Sequence, residues 1–177
     1  MESETYKVLV VDDEQGIREV ICSTLSQRGH VCDQAADGQE ALEKFSHEKY
    51  DAAVIDFSMP KMNGIVLMRE ILKIKPEFPI MIMTGFKDAQ FEGTSIDEKA
   101  VAAGATDFLE KPFTIEGFWL RFYKMIENFK ILLQMKARQE DLHKISNEMI
   151  GDLQKESREK IQLLEKELEA LKKRLNT

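Results

Sequence analysis

Five short strand-like runs, each separated from the next by a helical pattern, constrain this chain more than any other feature. They are Lys7–Val11 (KVLVV), Val31–Ala35, Asp51–Phe57 (DAAVIDF), Pro79–Thr84 (PIMIMT) and Thr106–Leu109. Several are apolar at consecutive positions rather than alternate ones, the mark of a strand buried on both faces. The intervening helical faces are Ile17, Val20, Ile21 and Leu25, then Ala41, Leu42 and Phe45, then Ile65, Leu67, Met68, Ile71 and Leu72. A fourth helix is expected over Ser95–Ala103, closed by Gly104, and another begins near Thr114. Strands alternating with helices imply βαβ units, hence an α/β, doubly wound, five-stranded parallel sheet with helices on both faces. In such a sheet ligands bind outside the carboxyl ends of the strands.

Those strand ends carry the chemistry. Asp12 and Asp13 follow the first strand, Asp56 closes the third, Thr84 closes the fourth and Lys111-Pro112 follows the fifth. Four strands thus deliver three carboxylates, one hydroxyl and one ammonium to one edge. Three clustered carboxylates raise one another's pKa unless a cation sits among them. A hard divalent ion with oxygen ligands answers this, and Mg²⁺ suits a site with few protein ligands because it keeps several waters. Lys111 adds a compact positive charge and Thr84 a hydroxyl. Aspartate is a competent nucleophile toward phosphorus, and phosphoryl transfer is largely positioning plus charge neutralisation.

Four motifs in chain order carry a family resemblance: VVDDE (Val10–Glu14), DFSMPKMNG (Asp56–Gly64), MTG (Met83–Gly85) and FLEKPF (Phe108–Phe113). From about Tyr6 to Lys130 the chain resembles a response-regulator receiver domain. The resemblance implies a flavodoxin-like sheet of order 2-1-3-4-5, with Asp56 as phosphoacceptor. It implies that Asp13 ligates the metal directly, Asp12 through water, and Ser58 through its backbone carbonyl. Lys111 would pair with the phosphoryl group, and Thr84 and Phe108 would be the switch residues. Pro112 stands at the usual cis-proline position. The stretch around Phe86–Ser95 is a few residues longer than is common in the family. The implied donor is a histidine kinase or phosphotransfer protein, the cofactor Mg²⁺, and the activity a self-catalysed phosphorylation with slow autodephosphorylation rather than enzyme turnover.

After Pro112 the composition changes: no proline recurs, and Gly117 and Gly151 are the only glycines. Ile161, Leu164, Leu168, Leu171 and Leu175 step by heptad spacing, as do Leu142, Ile145 and Met149 in a different register. Between them the polar stretch Gly151–Lys160 is either a stutter or a break. A helix over Thr114–Thr177 would run roughly 90 Å, too long to bury its stripe on a domain of this size. The expected organisation is a receiver over 1–130, its last helix starting near 114, and a coiled-coil extension over 131–177 that makes a parallel homodimer. A break at Gly151 folding the tail back as a hairpin is the rival.

Composition narrows the function classes. The net charge of −7 argues against a sequence-independent nucleic-acid binder, and the charge divides as −8 over residues 1–125 and +1 over 126–177, so neither part is a basic patch. No apolar run approaches the roughly 20 residues of a membrane span, and the polar start is not a signal peptide, so a soluble cytoplasmic protein is expected. Cys22 and Cys32 are expected as small buried apolar residues of a reducing compartment, not as redox partners. His30, His47 and His143 lack ligand spacing and are expected at the surface. Trp119 is expected to pack on the domain or on a dimer partner, and the methionines to fill core and loops.

A phosphatase using an aspartyl-phosphate would want a second acid two residues beyond Asp56, where Ser58 stands. The chain is expected to signal to a downstream protein whose identity the sequence does not carry. Two alternatives share the receiver reading: the front portion of a longer regulator, or a receiver-like scaffold acting through its coiled coil.

Overall fold

The computed structural model describes residues 4–85 and 104–175. The expected helix at Ser95–Ala103 and the long stretch around Phe86–Ser95 lie outside the described residues. The chain divides into two compact units, Met1–Lys130 and Ile131–Thr177.

In the first unit the strands are β1 (Lys7–Val11), β2 (Val31–Ala35), β3 (Ala52–Asp56), β4 (Ile80–Gly85) and β5 (Asp107–Lys111). All pair in parallel, in the order β2-β1-β3-β4-β5. Between them run α1 (Gln15–Ser26), α2 (Gly38–His47) and α3 (Gly64–Ile74), and α4 (Ile115–Leu175) follows β5. The helix starts follow their local chemistry. Asp37 accepts hydrogen bonds from the Gln39 and Glu40 backbone N–H groups and caps α2, while Asn63 accepts from Val66 and caps α3.

Strand alternation sorts the apolar residues into two cores. Leu9, Val11, Ala53, Ile55, Ile80 and Ile82 face α2 and α3, where Phe45, Leu67, Met68 and Ile71 meet them. Val8, Val10, Val54, Met81, Met83 and Leu109 face α1 and the first turns of α4, which supply Ile21, Leu25, Phe118 and Phe122. Central strands β1, β3 and β4 contribute fully buried residues to both faces, as their unbroken apolar runs require.

Two readings need correction here. Cys22 and Cys32 do not stand apart as apolar filler: they form a disulfide joining α1 to β2, with Cα atoms 5.4 Å apart. Their meeting depends on how α1 crosses back over β2, which a spacing of ten residues does not announce. His30 is buried rather than exposed. Its Nδ1 accepts the Tyr6 backbone N–H at 3.3 Å, and its ring stacks on Trp119 with centroids 5.6 Å apart. Trp119 in turn lies under the Arg28 guanidinium, 4.8 Å from the ring centroid, so it packs on its own domain.

The second unit is helical through Gly151. The interruption of the apolar stripe there is therefore a change of phase within a helix and not a hairpin. Among the described residues, no helix is long and apolar enough to cross a membrane.

Candidate functional site

The same alternation that divides the core builds the site. Asp12 follows Val8 and Val10 in phase, Asp56 follows Ala52 and Val54, and Lys111 follows Leu109, so all three belong to the sheet face covered by α1 and α4. Lys111 and Asp56 are on strands separated by β4. The β4 residue in register with Lys111 is Gly85. Lys111 Nζ lies 2.7 Å from Asp12 Oδ2 and 2.7 Å from Asp56 Oδ1, with Glu14 Oε1 at 4.0 Å.

Asp12 is 0% and Asp56 4% exposed, whereas Asp13 opens to solvent. Ligand oxygens of Asp12, Asp13 and Asp56 all lie within 4.8 Å of one another. Burial pushes the Asp56 carboxyl above its ordinary pKa, and Lys111 offsets this only in part. Burial works against the charge on Lys111 as well, but the contacts with Asp12 and Asp56 outweigh it and hold its pKa up. An all-oxygen donor set, crowded, partly buried and open on the Asp13 side, is the chemistry a hard divalent cation such as Mg²⁺ takes.

The loops that present these groups are held from behind. Asp12 Oδ1 accepts the Glu14 N–H at 2.9 Å, and Asp56 Oδ2 accepts the Ser58 N–H at 3.0 Å. After Asp56 the chain turns through Met59 and Lys61, the latter at φ 69°, a left-handed conformation rare for a side-chain-bearing residue. It then returns so closely that a Cβ on Gly64 would stand 2.3 Å from the Asp56 carbonyl oxygen. The Lys111–Pro112 peptide is cis.

Not every expected site residue joins this contact set. Thr84 is buried at the end of β4, but alternation puts it in phase with Ile80 and Ile82, toward the α2/α3 side. Phe108 pairs with Ile82 and so shares that phase. Its ring is half-buried beneath the Arg121 guanidinium, 5.0 Å from the centroid, and Arg121 also donates to the Phe108 carbonyl. The tail residues Leu142, Ile145, Met149, Ile161, Leu164, Leu168 and Leu171 are half-exposed on α4, and Leu175 is its last residue.

Three contributors escaped the sequence reading. Arg18 donates through Nη1 to the carbonyls of Asp12 (2.6 Å) and Asp13 (3.2 Å), clamping the acid-bearing loop. Its position one turn into α1 was the available signal. Gly85 was quoted in the MTG motif, but its place opposite Lys111 shows only in the strand register. Beside Asp56 opens a hollow of about 740 Å³ whose apolar wall includes Ile17, Val20, Phe113 and Ile115. Ile17 and Val20 were read as a helix face and Phe113 as the end of a motif, with no hint that they frame the site.

Comparison with known proteins points to one family. Residues 8–121 match the family described as the response regulator receiver domain. A response regulator MprA from Mycobacterium ulcerans is 32% identical over 127 residues, covering 72% of this chain and 53% of that protein. The two-component response regulator PhoP of Pseudomonas aeruginosa is 40% identical over 111 residues, covering 62% and 47%. The chain thus spans about half the length of the curated relatives it matches. Among solved structures, a receiver domain protein from Clostridium thermocellum superposes with a TM-score of 0.64 at 31% identity, over 72% of this chain and 98% of that one. NtrX from Brucella abortus gives 0.69 at 28% identity, over 76% of this chain and 29% of its own. This chain belongs to the response regulator receiver domain family of two-component systems.

Proposed function

We propose that the chain is a phosphoryl-accepting switch in which Asp56 takes a phosphoryl group from a phosphohistidine of a histidine kinase or phosphotransfer protein. The observation that carries this reading is the buried Asp56 carboxylate held 2.7 Å from Lys111 within the Asp12, Asp13 and Asp56 cluster. An Asp56 carboxylate oxygen would attack phosphorus, forming an acyl phosphate as the phosphorus–nitrogen bond of the donor breaks and the imidazole leaves. The carboxylates of Asp12, Asp13 and Asp56, with the Ser58 carbonyl, would hold Mg²⁺. When bound, the ion neutralises charge on the transferring group. Lys111 would move with a phosphoryl oxygen, keeping its contact to Asp12. Arg18 keeps the acid loop in place while this happens.

The apolar hollow beside Asp56 suits the approach of a partner helix, since it offers a dry wall next to the acceptor. Thr84 and Phe108 would relay the event. A phosphoryl group would draw the Thr84 hydroxyl toward it, and the vacated space would let Phe108 turn in from beneath Arg121. On this reading residues 1–130 are the receiver and 131–177 a coiled-coil extension pairing two copies, through which an unidentified downstream protein reads the state. The role is that of a switch with slow self-dephosphorylation rather than an enzyme turning over a substrate.

The test is labelling by a small acyl phosphate in Mg²⁺. The parent chain is expected to label at near one phosphoryl group, and Asp56→Asn to give none while keeping its fold. Equal labelling of Asp56→Asn would overturn the assignment.

A further inference from the structure

The tail carries its own instruction for how a second copy binds. Leu142, Ile145 and Met149, and farther on Ile161, Leu164, Leu168 and Leu171, are each at least half exposed in a continuous helix. Leu142, Leu153 and Leu164 recur every eleven residues, an interval that returns to the same face, and Ile150, Leu153, Ser157 and Ile161 step by three, four and four between the two stretches. Such a run shifts the phase of a coiled coil and straightens it locally without ending it. The two heptad stretches therefore belong to one stripe with a single small polar position, Ser157. Building on the proposed pairing of the tail with a second copy, we infer that the two helices are parallel and in register.

The charges beside the stripe decide the direction. With Ile161 and Leu168 at position a and Leu164 and Leu171 at position d, Lys160 and Glu167 occupy g, and Glu165 and Lys172 occupy e. The residues three and four away from Glu167 are Leu163, Leu164, Ala170 and Leu171, so its own helix offers it no cation. Those around Glu165 are Ile161, Gln162, Leu168 and Glu169, again without a cation.

In a parallel, in-register pair each g residue meets the e residue five positions on in the partner. Lys160 then faces Glu165 and Glu167 faces Lys172, each twice by symmetry. The antiparallel pair that keeps the same apolar layers, Ile161 on Leu171 and Leu164 on Leu168, sets Glu165 against Glu165 and Glu167 against Glu167. It also sets Arg158 against Lys172. Sliding that pair one heptad toward the N-terminus relieves the repulsion, but it puts Leu168 opposite Ser157 and Leu171 opposite Gln154. Sliding it one heptad toward the C-terminus also matches the charges, Glu165 on Lys172, but leaves Ile161 and every apolar position before it uncovered; the parallel, in-register pair covers the whole stripe and matches the charges. It brings the two Ile131 ends side by side, raising the local concentration of one receiver at the other.

Cross-linking and sedimentation of the full chain separate the two layers of this reading. With Cys22 and Cys32 replaced by alanine, Ile161→Cys and Leu171→Cys are each expected to form covalent dimers with themselves on mild oxidation. A mixture of the two should give no 161–171 cross-link; that mixed product, with little self-linking, would overturn the parallel arrangement. On the chain with its native cysteines, Glu167→Lys should weaken the dimer about tenfold, since two attractive contacts become repulsive. Adding Lys172→Glu should restore it, and failure to restore would overturn the register. A parent chain that sediments as a monomer at tens of micromolar (the range of about −6 kcal/mol of association) would instead remove the pairing beneath both.

Discussion

Replacing Lys111 with methionine removes the cation shared by Asp12 and Asp56 while keeping a side chain of similar length. Side-chain exposure is 0% for Asp12, 5% for Asp56 and 17% for Lys111, so the two carboxylates would be left without compensation in a poorly hydrated place. Removing one partner of a buried ion pair costs about 3–5 kcal/mol. Each carboxylate keeps one backbone donor, Glu14 N–H or Ser58 N–H, and water reaches the cluster past Asp13, which argues for the lower end, about 3 kcal/mol. For a unit of this size that corresponds to a melting temperature lower by roughly 10 °C.

The loss should depend on pH in a definite direction. Burial already raises the Asp56 pKa, and without Lys111 it rises further above its unfolded value. Such a carboxyl is protonated in the folded state before the unfolded one, so stability is present at low pH and lost as pH rises through the folded pKa. The gap between parent and variant should therefore narrow from about pH 8 to about pH 5, and excess Mg²⁺ should narrow it at neutral pH. Trp119, the only tryptophan, stacks on buried His30 and reports the melt by fluorescence. A variant melting within a degree or two of the parent, or a deficit that ignores both pH and Mg²⁺, would refute the reasoning.

Three further outcomes follow from other parts of the receiver. His30 is buried and its pKa lowered by that burial, so its contribution is fully present above the unfolded value and lost as pH falls toward the folded one. Changing His30→Gln should flatten the fall in stability between about pH 7 and about pH 5 in chemical denaturation. Gly64→Ala should cost about 2–3 kcal/mol, because the new Cβ meets the backbone of Asp56 rather than a yielding side chain, and metal titration should show weakened Mg²⁺ binding as well. Asp37→Ala removes the cap that receives two N–H groups of α2 and should cost about 1 kcal/mol, read as a lower denaturant midpoint with unchanged slope.

Much of this protein was legible before any coordinates. Consecutive apolar residues in Lys7–Val11, Asp51–Phe57 and Pro79–Thr84 can be buried on both faces only in a covered parallel sheet, and strand direction then forces Asp12, Asp13, Asp56 and Lys111 to one edge. Both are local facts, periodicity and polarity, which a sequence states directly. What depends on packing between distant segments was not. That Gly85 is in register across from Lys111 is a fact of strand pairing. Arg18 matters because α1 begins close enough for its guanidinium to reach back to the acid loop. Cys22 and Cys32 bond, and His30 sinks beneath Trp119, because α1, β2 and α4 converge there. The heptads of the tail were plain in the sequence, yet whether Gly151 broke them was a question of backbone cooperativity, which the helix decides by running through it. Residue spacing determined the sheet and its acidic edge; only the tertiary structure decided which neighbours hold that edge in place.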